Sequence, residues 1–575
     1  MPGFARFLAA IACATVAYGA QVPLQQFPVG NAVIDGVVTA AATKRPVGGA
    51  VVTVTGDVLV NGRSVALSRT TRADSGGHFS FTRLPPGRFV VSGRRDPFLV
   101  TRYGQTRPAG SGTPIVITDD QHRTIALELV QGANVTGQVS DEQAIPLVGV
   151  RVVASRWGYV NGVRRLTRSS ATDTNDDGSY KIAGLIPGEW VISVFPPGDA
   201  ASLARMADIE AVIQAAPRRP SVQMITMPTV GVAGYLPTYY PGVGDRASAA
   251  TITLVPGESR SGVDVQAGFP RAAIIRGTVA VPPGRDFSVF VGVESNDAGG
   301  SFRGAVVDAN GAFSLPNLPP GRYTIGAEVA PSSTQESLNR QGGIPAEDTT
   351  FRLWGSAEVQ LDGAEAVTAI AVRPAGSVSG QMTSDTVLMD WPTVSLQTSP
   401  GSRYTVFGAP TARPGPDGRF SLVGVYPGRY QLVIAPGIAK SAIVNGVDIL
   451  DFGLAMTGDD IAGIAIALTD RLSSVAGVLT ATSGVPVSDY SVIIAPTDRR
   501  YWVPNARRIQ TTRPSVDGQY EFRNLPAGEY LLAVLTDIEP GQQFDPDFLQ
   551  ELSGASVRVR VGDRTDVAQH LRLGR

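Results

Sequence analysis

The chain has 575 residues with 49 Lys and Arg against 50 Asp and Glu, a net charge of −1, so it carries no basic footprint for nucleic acid. Its 43% apolar residues, 65 Gly and 42 Pro describe a turn-rich globular chain rather than a disordered one. A length of this order divides into several domains, each with its own core.

Residues 1–20 read as an export signal: Arg6, an apolar run from Phe7 to Ala17, then the small-residue site Ala17-Tyr18-Gly19. Cleavage after Gly19 or Ala20 removes Cys13, the only cysteine, so the mature chain has no disulfide. That points to a bacterial periplasmic, outer-membrane-associated or extracellular setting. Ala10-Ile11-Ala12-Cys13 lacks the leucine of a lipobox, and no later segment is long and apolar enough to span a bilayer.

From residue 32 one pattern recurs five times. Each copy opens on a strand with a central glycine, namely Gly36, Gly137, Gly277, Gly380 and Gly477, read as bulges. An Asn/Asp-Gly-type turn follows at Gly77, Gly178, Gly311, Gly418 and Gly518. A second glycine stands ten residues later, at Gly87, Gly188, Gly321, Gly428 and Gly528, each followed by an aromatic: Phe89, Trp190, Tyr323, Tyr430 and Tyr530. Between the two glycines apolar residues alternate, as in Phe79 and Phe81 or Tyr520 and Phe522, the period of a half-buried strand. The turn chemistry predicts β-hairpins. With a second strand upstream and closing alternations such as Ile125, Leu127 and Leu129, each copy has about seven short strands in roughly 100 residues, as in a β-sandwich.

These residues resemble the carboxypeptidase regulatory-like domain, a transthyretin-like or Cna-B-like β-sandwich. The resemblance rests on the xxGxV strand, Pro-Val or Pro-Leu before the second strand (Pro46-Val47, Pro146-Leu147, Pro486-Val487), and the run D-G-x-[FY]-x-[FIL]-x-x-[LV]-x-P-G-x-[FYW]. It covers nearly all of residues 32–575 and is weaker in copies 3 and 4, which lack the clear Pro-Val. It implies a noncatalytic module of secreted bacterial proteins and, at family level, carbohydrate binding. The motif marks a fold rather than an activity.

The expected architecture is therefore all-β: five tandem Ig-like or transthyretin-like sandwiches at residues 32–131, 132–270, 271–373, 374–471 and 472–575. Linkers of about five residues predict a semi-rigid rod. The opening glycines lie 101, 140, 103 and 97 residues apart, so copy 2 carries a surplus near 197–237. Within it Leu203, Met206, Ile209, Val212 and Ile213 share one helical face, predicting a short helix, and residues 217–237 read as an irregular loop.

Catalytic signals are sparse. His78, His122 and His570 lack the His-x-x-Glu spacing of a zinc peptidase, and no G-x-S-x-G elbow occurs. Asp173-Thr174-Asn175-Asp176-Asp177-Gly178 opens like a calcium loop, yet Gly184 stands where the twelfth-position acid belongs, and the run coincides with the shared turn. No catalytic residue, cofactor or metal ligand is therefore assigned. The candidate ligand residues are aromatics outside the repeat: Trp157 and Tyr159, on the outward parity of the second strand of copy 2, and Tyr501 and Trp502 at a comparable point in copy 5. Such rings stack on sugars or pack against a neighbouring domain. The function expected is a noncatalytic binding or spacer array whose partner is a polysaccharide or another envelope protein. The alternative is an enzyme with a carboxylate-based site at a domain junction.

Overall fold

The computed structural model describes residues 29–60, 63–160, 162–195, 236–269, 271–283, 286–294, 303–334, 349–399 and 407–574. The export signal, the predicted helix at 203–216 and nearly all of the stretch 217–237 lie outside them. The first unit shows the plan. Strands β1 (Ala32–Ala40), β4 (His78–Leu84) and β8 (His122–Leu129) form one sheet in the order β4-β1-β8, β1 pairing antiparallel to β4 and parallel to β8. The facing sheet is antiparallel, ordered β3-β2-β5-β6, from β2 (Val51–Val60), β3 (Arg63–Arg72), β5 (Gly87–Arg95) and β6 (Phe98–Arg102). Strand β7 (Ile115–Ile117) also pairs with β5. Later copies repeat the plan, except that in the fourth the strand Ile438–Val444 joins the sheet of the opening strand by pairing with Ile461–Thr469, so the protein is all-β, built of tandem sandwiches with separate cores.

The two glycine turns are not hairpins. Strand β4 pairs with β1 while β3 and β5 pair with β2, so both turns carry the chain from one sheet to the other. The predicted turn chemistry still operates: Gly77, Gly178, Gly311, Gly418 and Gly518 have φ of 81°, 74°, 78°, 76° and 72°, a region that glycine enters without steric cost. Each donates its N–H to a carbonyl three residues back. Spacing alone cannot separate a hairpin from an arch between sheets, because both need a tight turn between alternating strands.

Arching places the aromatics between the sheets. Phe89, Trp190 and Tyr530 are fully buried, and Tyr323 and Tyr430 nearly so; each ring contributes about 1.5–3 kcal/mol by leaving water. The polar tips find partners at once: Trp190 donates to the Ile186 carbonyl at 2.8 Å, Tyr430 to Tyr426 at 3.0 Å and Tyr530 to Pro526 at 2.6 Å, four residues back across the Pro-Gly-type turn. The opening glycines are likewise packing sites; the register irregularity falls between Ala32 and Ile34 in β1 but between Val378 and Gly380 in the fourth copy, where the expected bulge is present. A Cβ on Gly36 would stand 1.9 Å from the Ile125 carbonyl oxygen and 3.1 Å from the Phe79 ring. The missing side chain lets the aromatic lie across the strand.

The domains do not form a rod. Arg513 donates to the Ser111 carbonyl at 2.7 Å, Arg88 donates to the Arg513 carbonyl at 2.7 Å, Arg107 pairs with Asp537, and Arg123 meets Asp517 at 3.4 Å. These partners are 394 to 430 residues apart, joining the first domain to the fifth. Gly162, at the tip of the long hairpin of domain 2, donates to the Gly541 carbonyl at 2.9 Å. Short linkers restrict neighbours only; these side-chain contacts fold the chain back on itself.

Candidate functional site

A densely charged junction joins domains 4 and 5. In domain 4 Asp448 caps the short helix Ile449–Phe452, accepting from the Leu450 N–H, and the turn buries Asp451 while leaving Phe452 at the surface. In domain 5 strand Ser491–Pro496 is followed by Asp498, which caps the turn Arg499–Tyr501. This turn stacks Tyr501 on Phe452, ring centroids 5.2 Å apart and planes 22° apart, with the Arg508 guanidinium 4.4 Å from the Tyr501 centroid. Arg507 and Arg508 then converge on Asp451 at 2.9 Å and 3.0 Å, and Arg507 also holds Asp448 at 3.0 Å. Sequence reading missed this cluster because its members lie 56 to 59 residues apart and no local motif links them.

A second buried arginine joins domains 3 and 4. Arg352 donates to the carbonyls of Phe407 and Gly408, both at 2.8 Å, and lies 5.3 Å from the Tyr426 ring centroid. The Tyr426 hydroxyl donates to the Val329 carbonyl at 2.8 Å, and burial pushes this phenol well above its ordinary range.

The predicted aromatics separate into different roles. Trp502 is only 7% exposed: its indole N–H donates to the Pro496 carbonyl at 2.8 Å, and its ring packs with Ile493, Ile509, Leu531 and Leu549. This small second core covers the outer face of the domain 5 sheet, beneath the helix Pro546–Ser553. Trp502 therefore presents no open ring, and Tyr501 lies in the junction with domain 4. Tyr159 sits beside Gly541 of domain 5. Trp157 is half-buried on strand Arg151–Val160, with the Arg164 guanidinium 5.6 Å from its ring centroid.

The calcium-like run is engaged by its own neighbours. Asp173 ends a strand and accepts from Arg151 at 3.0 Å with both carboxylate oxygens, while Asn175 donates to the Ser179 hydroxyl at 3.2 Å. Hydrogen bonds from Ser179 hold the Asp177 carboxyl below its usual range. The run is thus the sheet-crossing turn of the other copies with polar side chains. Of the three histidines, His122 meets Asp35 at 2.6 Å, His570 accepts from the Val478 N–H at 3.2 Å, and His78 is exposed on β4. Among the described residues no helix is long and apolar enough to cross a membrane.

No family model and no curated protein matches the chain. Among solved structures it is similar to a streptococcal ancillary pilin, at 11% identity and a TM-score of 0.18, covering 53% of this chain and all of that one. It is also similar to GBS52, the minor pilin of Streptococcus agalactiae, at 13% identity and a TM-score of 0.21, covering 44% of this chain and 99% of that one. The Bacillus anthracis TIE protein matches at 10% identity and a TM-score of 0.13, covering 91% and 68%. Scores at this level carry no argument about role, and the β-sandwich assignment rests on the sheets themselves.

Proposed function

We propose that the chain is an exported, noncatalytic protein of the bacterial envelope or exterior. In this reading five carboxypeptidase regulatory-like sandwiches, with the boundaries expected above, form a scaffold that presents binding surfaces, carbohydrate being the ligand class and another envelope protein the other possible partner. The carrying observation is how the junction carboxylates are used. Both oxygens of Asp451 accept from arginines within 3.0 Å, and its side chain is 1% exposed. A general base or nucleophile needs a lone pair aimed at substrate, whereas a carboxylate enclosed by two guanidiniums is a clamp. Half-burial of Trp157 on an outer sheet face, beside Arg164, supports the carbohydrate part of the reading.

An epitope-tagged full chain expressed in a bacterial host tests this reading. It should be recovered outside the cytoplasm, and the purified mature chain should be retained on polysaccharide while turning over no peptide, ester or glycoside. Turnover abolished by Asp451→Asn would replace the scaffold with an enzyme at the domain junction.

A further inference from the structure

The long hairpin of domain 2, Arg151–Val160 and Val163–Asp173, carries five arginines against one acid, Asp173. That acid is already paired with Arg151. Across the hairpin Trp157 stands opposite Leu166 and Tyr159 opposite Arg164, so these four side chains share one face. Arg164 reaches over the Trp157 ring at 5.6 Å and towards Glu189, on strand Gly188–Phe195 at the far side of Arg151–Val160, at 3.8 Å, with the Arg164 and Glu189 side chains 61% and 57% exposed. An ion pair so long and so wet contributes little. Its guanidinium is free to exchange Glu189 for a better acceptor.

We infer that this face binds an anionic polysaccharide. The inference rests on the carbohydrate reading above and adds the charge of the ligand. A pyranose ring supplies an apolar face for Trp157, and its carboxylate or sulfate draws the Arg164 guanidinium off the indole into a two-point, charge-assisted contact. A neutral sugar satisfies the ring but offers Arg164 no acceptor better than Glu189. Glu189 sets the geometry in the free protein and is displaced on binding.

The test uses the mature chain in affinity gel electrophoresis against polygalacturonate, dextran sulfate and neutral dextran, at low and high salt. At least one anionic polymer should retard the protein, dextran should not, and salt should weaken the retardation. Trp157→Ala and Arg164→Gln should each weaken binding by about tenfold or more, while Glu189→Gln should preserve or strengthen it. Arg164 is exposed, so its variant tests the contact without touching a core; thermal unfolding checks that it folds. Retardation by polygalacturonate alone identifies a uronate ligand, and by dextran sulfate alone a sulfated one. Equal binding of dextran with no effect of Arg164→Gln overturns the charge inference and leaves the carbohydrate reading standing. Salt-sensitive binding indifferent to both variants means diffuse adsorption and overturns the site. Retention by no polymer overturns both the site and the carbohydrate reading.

Discussion

Asp451→Ala removes the acceptor of three charge-assisted hydrogen bonds, from Arg507 Nε at 2.9 Å, Arg508 Nε at 3.0 Å and Arg507 Nη2 at 3.4 Å. The Asp451 side chain is 1% exposed and those of Arg507 and Arg508 are 20% and 12% exposed, so water replaces the lost contacts poorly. Deleting one member of such a buried cluster costs about 3–5 kcal/mol, most of it from stranding the opposite charge. Arg507 keeps Asp448 at 3.0 Å and Arg508 keeps the Ala527 carbonyl at 3.1 Å, which places the expected loss near the lower end, about 3 kcal/mol. Domains 4 and 5 retain their own cores, so the loss falls on their coupling. Calorimetry of the full chain should show the transitions of these two domains moving apart. A double-mutant cycle with Arg508→Ala should give an interaction energy of about 1–3 kcal/mol. Lys44→Ala is the control: Lys44 pairs with Glu128, but the side chains are 64% and 47% exposed, and its removal should cost less than about 1 kcal/mol. An Asp451→Ala effect no larger than the control would refute the clamp.

Alkaline pH should destabilise domain 5. Burial pushes the Tyr530 phenol up to about 12, and Tyr180, Tyr426 and Tyr520 shift the same way. A phenol whose folded pKa lies above its unfolded value, about 10, binds its proton more tightly when folded. Its stabilisation is complete below about pH 10 and is lost as pH rises towards 12. The thermal midpoint should fall across that window and fall less in Tyr530→Phe; a flat profile would count against the buried assignment. Arg107→Ala combined with Arg513→Ala removes the Asp537 pair and the Ser111 contact between the first and fifth domains. Small-angle scattering should then give a larger radius of gyration than the parent, and superimposable profiles would contradict the fold-back.

What the chain alone determined is local. A glycine with positive φ, an aromatic two residues on, and a second glycine followed by an aromatic are short-range demands of turn sterics and strand parity, so five copies and five cores were legible before any coordinates. The pairing of strands was not, because a tight turn serves a hairpin and an arch equally, and only contacts with β1 and β2 decide which sheet each strand joins. The roles of the candidate aromatics were equally hidden. Parity places Trp157 and Tyr159 outward, and Tyr501 and Trp502 fall at a comparable point in copy 5, but whether such a ring meets water, a neighbouring domain or a second core depends on residues far away in sequence, as Phe452 for Tyr501 and Leu549 for Trp502 show. The same holds for the arrangement of the domains. No local motif marks Arg107, Arg507 or Arg513, to which only the tertiary structure brings Asp537, Asp451 and the Ser111 carbonyl, because charge complementarity between distant segments leaves no periodicity in the chain.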